Sequence, residues 1–171
     1  MGILSKTAPW DDNTYGNNRK TLRVLIECEK GSNNKYEYDD VLDRMVVVRE
    51  LHPKYKYIFN YGSIPQTLAE DGDSLDAIVV GEEPIRSGTI INVIPIAVIR
   101  TIDKGQVDDK IVCTPFYRAH GTLDIKRIVK YLRKYKYPDS DSSEVIGVED
   151  WQAAVETINE AIERFKGVYK L

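Results

Sequence analysis

Three carboxylates fall within six residues at Asp71-Gly-Asp73-Ser-Leu-Asp76, directly ahead of the β-branched run AIVV. Like charges this close repel one another unless a cation joins them, so the pattern suits a site for hard metal ions. Asp and Gly are also common turn residues, and a solvated turn accounts for the spacing equally well. A calcium loop of EF-hand type is a third reading, because Glu82 stands twelfth counting from Asp71. That loop needs glycine where Asp76 stands and helices where the flanks here are strand-like.

Two more acidic patterns share this ambiguity. Asp103 and Asp108 bracket the turn Lys104-Gly105 between two β-like runs, so a hairpin would carry both to one rim. Asp108 and Lys110 would face the same way on a strand. In KYEYD, Lys35, Glu37 and Asp39 share one face and Tyr36 and Tyr38 the other. Polar hairpins and half-buried strands produce such patterns without any function.

Together the clusters offer oxygen ligands with neither His nor Cys among them, which suits Mg²⁺ better than zinc. A carboxylate pocket accepts a multiply charged phosphate anion only with metal ions in between, and with cationic or hydroxyl side chains on the remaining oxygens. Lys35, Arg49, Tyr61, Lys110, Tyr135 and Lys136 are candidates for that second task. Each has a plainer explanation on its own, as a solvated surface cation, a core aromatic or the end of a helix.

The elements that must hold these groups are mostly strands. LRVLIECE, KYEYD, RMVVVREL, DAIVV, TIINVIPIAVIRTI and KIVCT are β-like runs punctuated by Gly, Pro or Asp, and predict a closed or strongly curved antiparallel core. Helical periodicity is confined to the last third. Ile125, Ile128, Val129 and Leu132 form one apolar stripe, and Trp151, Val155, Ile158, Ile162 and Phe165 a second. Asp150 is expected to cap the second helix and Gly167 to end it. The expected fold class is α+β, a β-barrel with flanking C-terminal helices, after an irregular arm over the first twenty residues.

A chain of 171 residues suits a single domain. With 42% apolar and 30% charged residues and a net charge of -3, it lacks the basic excess of a general nucleic-acid or membrane binder. Cys28 and Cys113 form no C-x-x-C pair, which favours a reduced cytoplasmic protein. No run of about 18 apolar residues occurs. Gly2 meets the first requirement of a myristoyl signal, but Lys6 replaces its Ser or Thr. A soluble protein is expected.

In the order IE-x₇-KYE (Ile26-Glu27 to Glu37), Arg49, NYG (Asn60 to Gly62), DGDSLD, Asp103, Asp108, Lys110 and Tyr135-Lys136, the chain resembles the soluble family I inorganic pyrophosphatases, in particular the short, prokaryotic-type members. The likeness runs from about Leu22 to Lys166. It implies a five-stranded barrel of oligonucleotide-binding type that serves pyrophosphate rather than nucleic acid, several Mg²⁺ ions per site, and a homo-oligomer, commonly a hexamer. By this resemblance Asp71, Asp76 and Asp108 would hold one ion, and Asp76 would share a second that also binds the attacking water. Asp103 and Asp108 would receive an ion arriving with substrate, and Glu37 would serve a fourth. Asp73 would take the proton of the water, with Tyr61 organising its surroundings. Lys35, Arg49, Lys110, Tyr135 and Lys136 would clamp the phosphoryl groups, and Glu27 would support from behind.

Family members often carry Pro two residues after the first-strand acid, Asp just before the arginine, Pro before NYG, Tyr or Phe after it, and an acid after the third-metal Asp. Here Glu29, Val48, Phe59, Ser63 and Lys104 stand in those places, and Glu144 lies where lysine is usual. None removes an expected ligand. Lys104 does put a positive charge beside Asp103. Two other functions compete: a relative that binds metal and phosphate without turnover, and a phosphohydrolase acting on nucleotides or polyphosphate. The second lacks both a G-x-x-x-x-G-K-[ST] loop and a base-recognition element.

Overall fold

The computed structural model describes all residues except 1, 13–19, 118–123, 136–142 and 170–171. In chain order the elements are α1 (Ile3–Lys6), β1 (Trp10–Asp11), β2 (Thr21–Cys28), β3 (Asn34–Asp39), β4 (Arg44–Glu50), β5 (Asn60–Ser63), β6 (Asp76–Val79) and β7 (Ile90–Asp103). They continue with β8 (Gln106–Val107), β9 (Lys110–Pro115), α2 (Ile125–Leu132), β10 (Ser143–Asp150) and α3 (Trp151–Tyr169).

Strands β2, β5, β6, β9 and β7 pair in that order, and β7 pairs back onto β2, which closes a five-stranded barrel. All of these pairings are antiparallel except β6 with β9. β1 and β10 extend the sheet at either side, and β3 and β4 form a separate hairpin. The long run around Pro95 becomes one 14-residue strand shared among β2, β9 and β10. Its register with β9 shifts between Pro95 and Ala97. Proline cannot donate to a ladder, so a bulge is where a strand tolerates it, and the extra residue adds the bend that closure needs.

The continuous apolar runs are explained by burial on both faces of the wall. Ala77 and Val79 of β6, with Ile111 and Cys113 of β9, join one core with Ala154, Ile158, Ala161 and Ile162 of α3. The alternate residues Ile78 and Val112 join a second core with Ile128 and Leu132 of α2 and the rings of Tyr57, Phe59, Tyr61, Tyr131 and Tyr135. Asp150 caps α3 as expected, accepting from the amides of Gln152 and Ala153. Asp124 does the same for α2 through the amide of Arg127.

Three expectations need correction. The helix does not stop at Gly167 but runs on to Tyr169, because packing of the preceding turns holds it while Gly167 itself is exposed. The buried stripe of α3 is Ala154, Thr157, Ile158, Ala161 and Ile162, while Trp151 is 56% exposed. The first twenty residues are not wholly irregular and helix is not confined to the last third, since α1 forms a single turn and β1 pairs with β2 through Trp10–Leu22 and Asp11–Thr21. Two strands that the sequence pattern did not reveal, β5 and β10, complete the sheet.

One contact sets the spacing of the wall. The β2–β5 register runs Leu25–Ser63, Ile26–Gly62 and Cys28–Tyr61, leaving Glu27 as the extra residue of a bulge. Gly62 lies so close to β2 that a Cβ there would fall 1.9 Å from the Leu25 carbonyl oxygen. Backbone on both sides cannot yield as a side chain would. We expect Gly62→Ala to destabilise the fold by about 1–3 kcal/mol or more, read as a fall in the urea midpoint. An unchanged midpoint would show that β2 and β5 can move apart freely.

Candidate active site

Strand ends, not strand middles, supply the chemistry. Asp76 opens β6 and Lys110 opens β9, and the two are direct partners in the parallel ladder. Asp103 closes β7 ahead of the Lys104-Gly105 turn, both of whose residues have positive φ (49° and 81°). Asp108 follows β8 and is held by its own amide, which donates to the Thr101 carbonyl at 2.9 Å. Asp71 and Asp73 lie in the loop before β6, where Asp71 Oδ1 accepts from the amide of Asp73 at 3.1 Å. Gly72 between them has φ +95°.

These ends converge on a cavity of about 250 Å³. Its wall includes Glu27, Glu37, Asp71, Asp73, Asp76, Asp103 and Asp108, and against these carboxyls Lys35 and Lys110. Tyr61 and Tyr135 add hydroxyls. Every site residue named from the sequence lines this cavity except two. Arg49 sits on β4 directly opposite Lys35 but is not part of the wall, and Lys136 lies outside the described residues. Glu82, the residue that an EF-hand reading would require, is not in the wall either, and β6 rather than a helix follows the acidic loop.

The NYG triplet is accounted for atom by atom. Asn60 Oδ1 accepts from the amides of Lys30 and Ile85, and its Nδ2 donates to the Glu83 carbonyl, so it ties the β2–β3 and β6–β7 loops together behind the site. Tyr61 donates to Asp76 Oδ2 at 2.5 Å. Gly62 permits the close approach of β2.

Lys110 is 2% exposed, and its ammonium donates to Asp76 Oδ2 at 2.6 Å and to Asp108 Oδ1. Burial alone would lower the pKa of Lys110, but the charges of Asp76 and Asp108 outweigh it and hold the ammonium protonated. For Asp76 burial pushes upward, and the Lys110 charge and hydrogen bond with the Tyr61 hydroxyl reverse it, so the carboxylate stays ionised below its usual range. Tyr61 is shifted well up by burial and by Asp76. Asp73 is raised by partial burial and by Asp71, Glu37 and Asp76, which makes its carboxylate more basic than an ordinary aspartate.

Not every acid nearby belongs to the site. Asp109 turns away and takes the Arg100 guanidinium at 2.7 Å and the Thr101 amide at 3.2 Å, a structural anchor between β7 and β9.

The family model for inorganic pyrophosphatase matches residues 24–166, the stretch that contains all of these groups. The chain belongs to the inorganic pyrophosphatase family. It is 38% identical over 157 residues to an inorganic pyrophosphatase of Methanosarcina acetivorans, covering 86% of this chain and 94% of the relative. With the inorganic pyrophosphatase of Synechocystis sp. it shares 33% identity, covering 85% of this chain and 92% of the relative. The crystal structure of an inorganic pyrophosphatase from Neisseria gonorrhoeae superposes with a TM-score of 0.84 at 32% identity, covering 95% of this chain and 98% of that one.

Set against that family pattern, four wall residues of this pyrophosphatase-family chain were not anticipated: Leu4, Tyr38, Ser63 and Ser74. Leu4 arrives because the Ile3 amide donates to the Tyr38 hydroxyl at 3.0 Å and pins α1 over the rim. No spacing rule reveals such a contact. Tyr38 reaches the cavity although strict alternation sets it opposite Glu37, and its hydroxyl is held at the rim by the Ile3 amide. Val48 is the unmatched residue where the β3–β4 register shifts at Lys35/Tyr36.

Among the departures from the family pattern, Phe59 packs edge-on against Tyr131 with centroids 5.1 Å apart, under the aromatic floor. Glu29 accepts from the Ser87 amide at 3.0 Å.

Glu27 is 6% exposed, and burial, reinforced by Asp76 and Glu37 and only partly offset by Ser63 and Lys35, pushes its carboxyl from 4.5 up to about 8. A carboxyl raised on folding favours the neutral acid in the native state. Its contribution is fully present below about pH 4.5 and is lost as pH rises through 8. Glu27→Gln mimics the neutral form. In EDTA the variant should therefore gain on the wild type between pH 5 and pH 9, by at most about 1.4 kcal/mol per unit of that window. A stability difference that does not change with pH would contradict this.

Proposed function

We propose that the chain hydrolyses inorganic pyrophosphate to two orthophosphates with Mg²⁺ as the working metal, the whole chain acting as one domain. The observation that carries this reading is the convergence of Asp71, Asp73, Asp76, Asp103 and Asp108 with Lys35, Lys110, Tyr61 and Tyr135 on one cavity in a chain of this family.

The donor set fits hard divalent cations. All of its candidate ligands are carboxylate oxygens, and two lysines cannot balance the wall and a pyrophosphate anion together. Among the described residues no three acids close around an ion by themselves. Mg²⁺ keeps several waters and takes one or two carboxylates plus substrate oxygens. Asp71, Asp76, Asp103, Asp108 and Glu37 would hold the ions, which when bound screen the phosphate charge and make water more acidic.

The side chains then divide the work. Asp73, raised in basicity by its neighbours, takes the proton of the attacking water. Tyr61 fixes Asp76 through its short hydrogen bond and keeps that carboxylate aimed into the cavity. Lys110 and Lys35 face the phosphoryl oxygens and offset charge that builds on the leaving phosphate, with Tyr135 beside them, and by the family resemblance Arg49 and Lys136 would add to this clamp. Lys110 pairs with Asp76 and Asp108, so an ion on those carboxylates and a phosphate oxygen on the ammonium would compete with these bonds.

Family membership also supports a homo-oligomer, which we propose to be a hexamer in the cytoplasm. The exposed Trp151, Ile146 and Val148 beside α3 offer apolar surface for such contacts. None of the described helices is long and apolar enough to cross a membrane. Sedimentation of the purified protein reads the oligomer directly.

Phosphate release from pyrophosphate should require Mg²⁺, stop in EDTA, and fall at least about 100-fold in Asp73→Asn. A wild-type rate in Asp73→Asn would remove Asp73 as the base. Dominant hydrolysis of ATP over pyrophosphate would replace the substrate assignment. Lys104 places a cation next to Asp103, so Lys104→Glu should lower the Mg²⁺ concentration needed for half-maximal rate. An unchanged Mg²⁺ dependence would show that Lys104 does not reach the ion that accompanies substrate.

A further inference from the structure

Ser63, which departs from the aromatic residue usual at its place in the family, makes a short buried contact with Glu27. Its hydroxyl donates to Glu27 Oε1 at 2.6 Å, both residues are 6% exposed, and both stand in the cavity wall. The Ser63 backbone pairs with Leu25 of β2 on one side and with Asp76 of β6 on the other. The hydroxyl therefore sits between the bulge that carries Glu27 and the strand that begins at Asp76.

The bulge aims Glu27 at the cavity, but three side-chain torsions still separate its carboxyl from the backbone. A buried hydrogen bond this short fixes those torsions. Among the described residues it is the one side-chain hydrogen bond that Glu27 makes. Oε1 is thus held by the wall, on a side chain that lines the cavity.

We propose that Ser63 is a positioning residue for hydrolysis: its hydroxyl locks the Glu27 rotamer so that one carboxyl oxygen is anchored in the wall and the other is presented to the water and phosphate oxygens in the cavity. The inference rests on the hydrolytic reading above. Ser63 acts only through Glu27.

A double-mutant cycle tests it. Steady-state kcat and KM for pyrophosphate at saturating Mg²⁺ are measured for the wild type, Ser63→Ala, Glu27→Ala and the double variant, with Glu27→Leu in place of Glu27→Ala should the latter not fold. Ser63→Ala should lower kcat about tenfold with KM within about twofold, as expected for loss of an outer contact. It should add no further loss once Glu27 is gone. A crystal structure of Ser63→Ala should show the Glu27 carboxyl displaced from its wild-type position, a readout independent of turnover.

An unchanged kcat, an equal loss in both backgrounds, or an unmoved Glu27 carboxyl overturns the inference while the hydrolytic reading stands. A wild type that releases no phosphate with Mg²⁺ overturns the hydrolytic reading and this inference with it.

Discussion

A buried ammonium between two carboxylates is the contact on which the site depends. Lys110, Asp76 and Asp108 could not sit this close in the interior as isolated charges, because each loses its hydration and only mutual pairing offsets that loss. The pairing in turn demands fixed backbone. Asp76 and Lys110 are opposite each other in the parallel β6–β9 ladder, and Asp108 is tied to β7 through Thr101. Closure of the barrel thus brings together a cluster of like charges that a flexible loop would spread apart.

The wall that enforces this is buried on both sides, which is unusual for largely antiparallel sheets. Its inward and outward residues feed two cores, one under α3 and one under α2 with its aromatic floor. The floor reaches the chemistry directly, since Tyr61 belongs to it and bonds Asp76, and Tyr135 stacks on Tyr131 with centroids 5.4 Å apart while lining the cavity. Rigid packing behind the site is therefore continuous with the groups that act in it. Irregularities are placed where they serve: one bulge delivers Glu27, and another lets Pro95 bend the longest strand.

The departures from the family pattern have unequal structural weight. Phe59 and Glu29 are absorbed into packing and a loop hydrogen bond. Val48 is 46% exposed at the unmatched position of the β3–β4 hairpin, next to Arg49. Ser63 and Lys104 stand nearest the carboxylates, one in the wall and one on the turn after Asp103. Small changes there act on charged groups in a low-dielectric cavity, where electrostatic effects are largest.

The sequence by itself determined the chemistry of the site and the class of the fold. DGDSLD, the Asp103–Asp108 hairpin and the KYE strand supply carboxylates that the fold gathers around one cavity, because turn spacing is a local property, while the ligand roles expected of them came from the family resemblance. The same local rules found the long strands, both C-terminal helices and the Asp150 cap. What only the tertiary structure decided depends on partners far along the chain. Strands β5 and β10 exist because their neighbours pair with them, and α3 passes Gly167 because tertiary packing outweighs a weak stop signal. Asp109 looks on paper like Asp108 but is committed to Arg100, and Ser63 looks like a lost aromatic but holds Glu27. A side chain's partner is fixed by register and bulges across strands, and no window of sequence contains both.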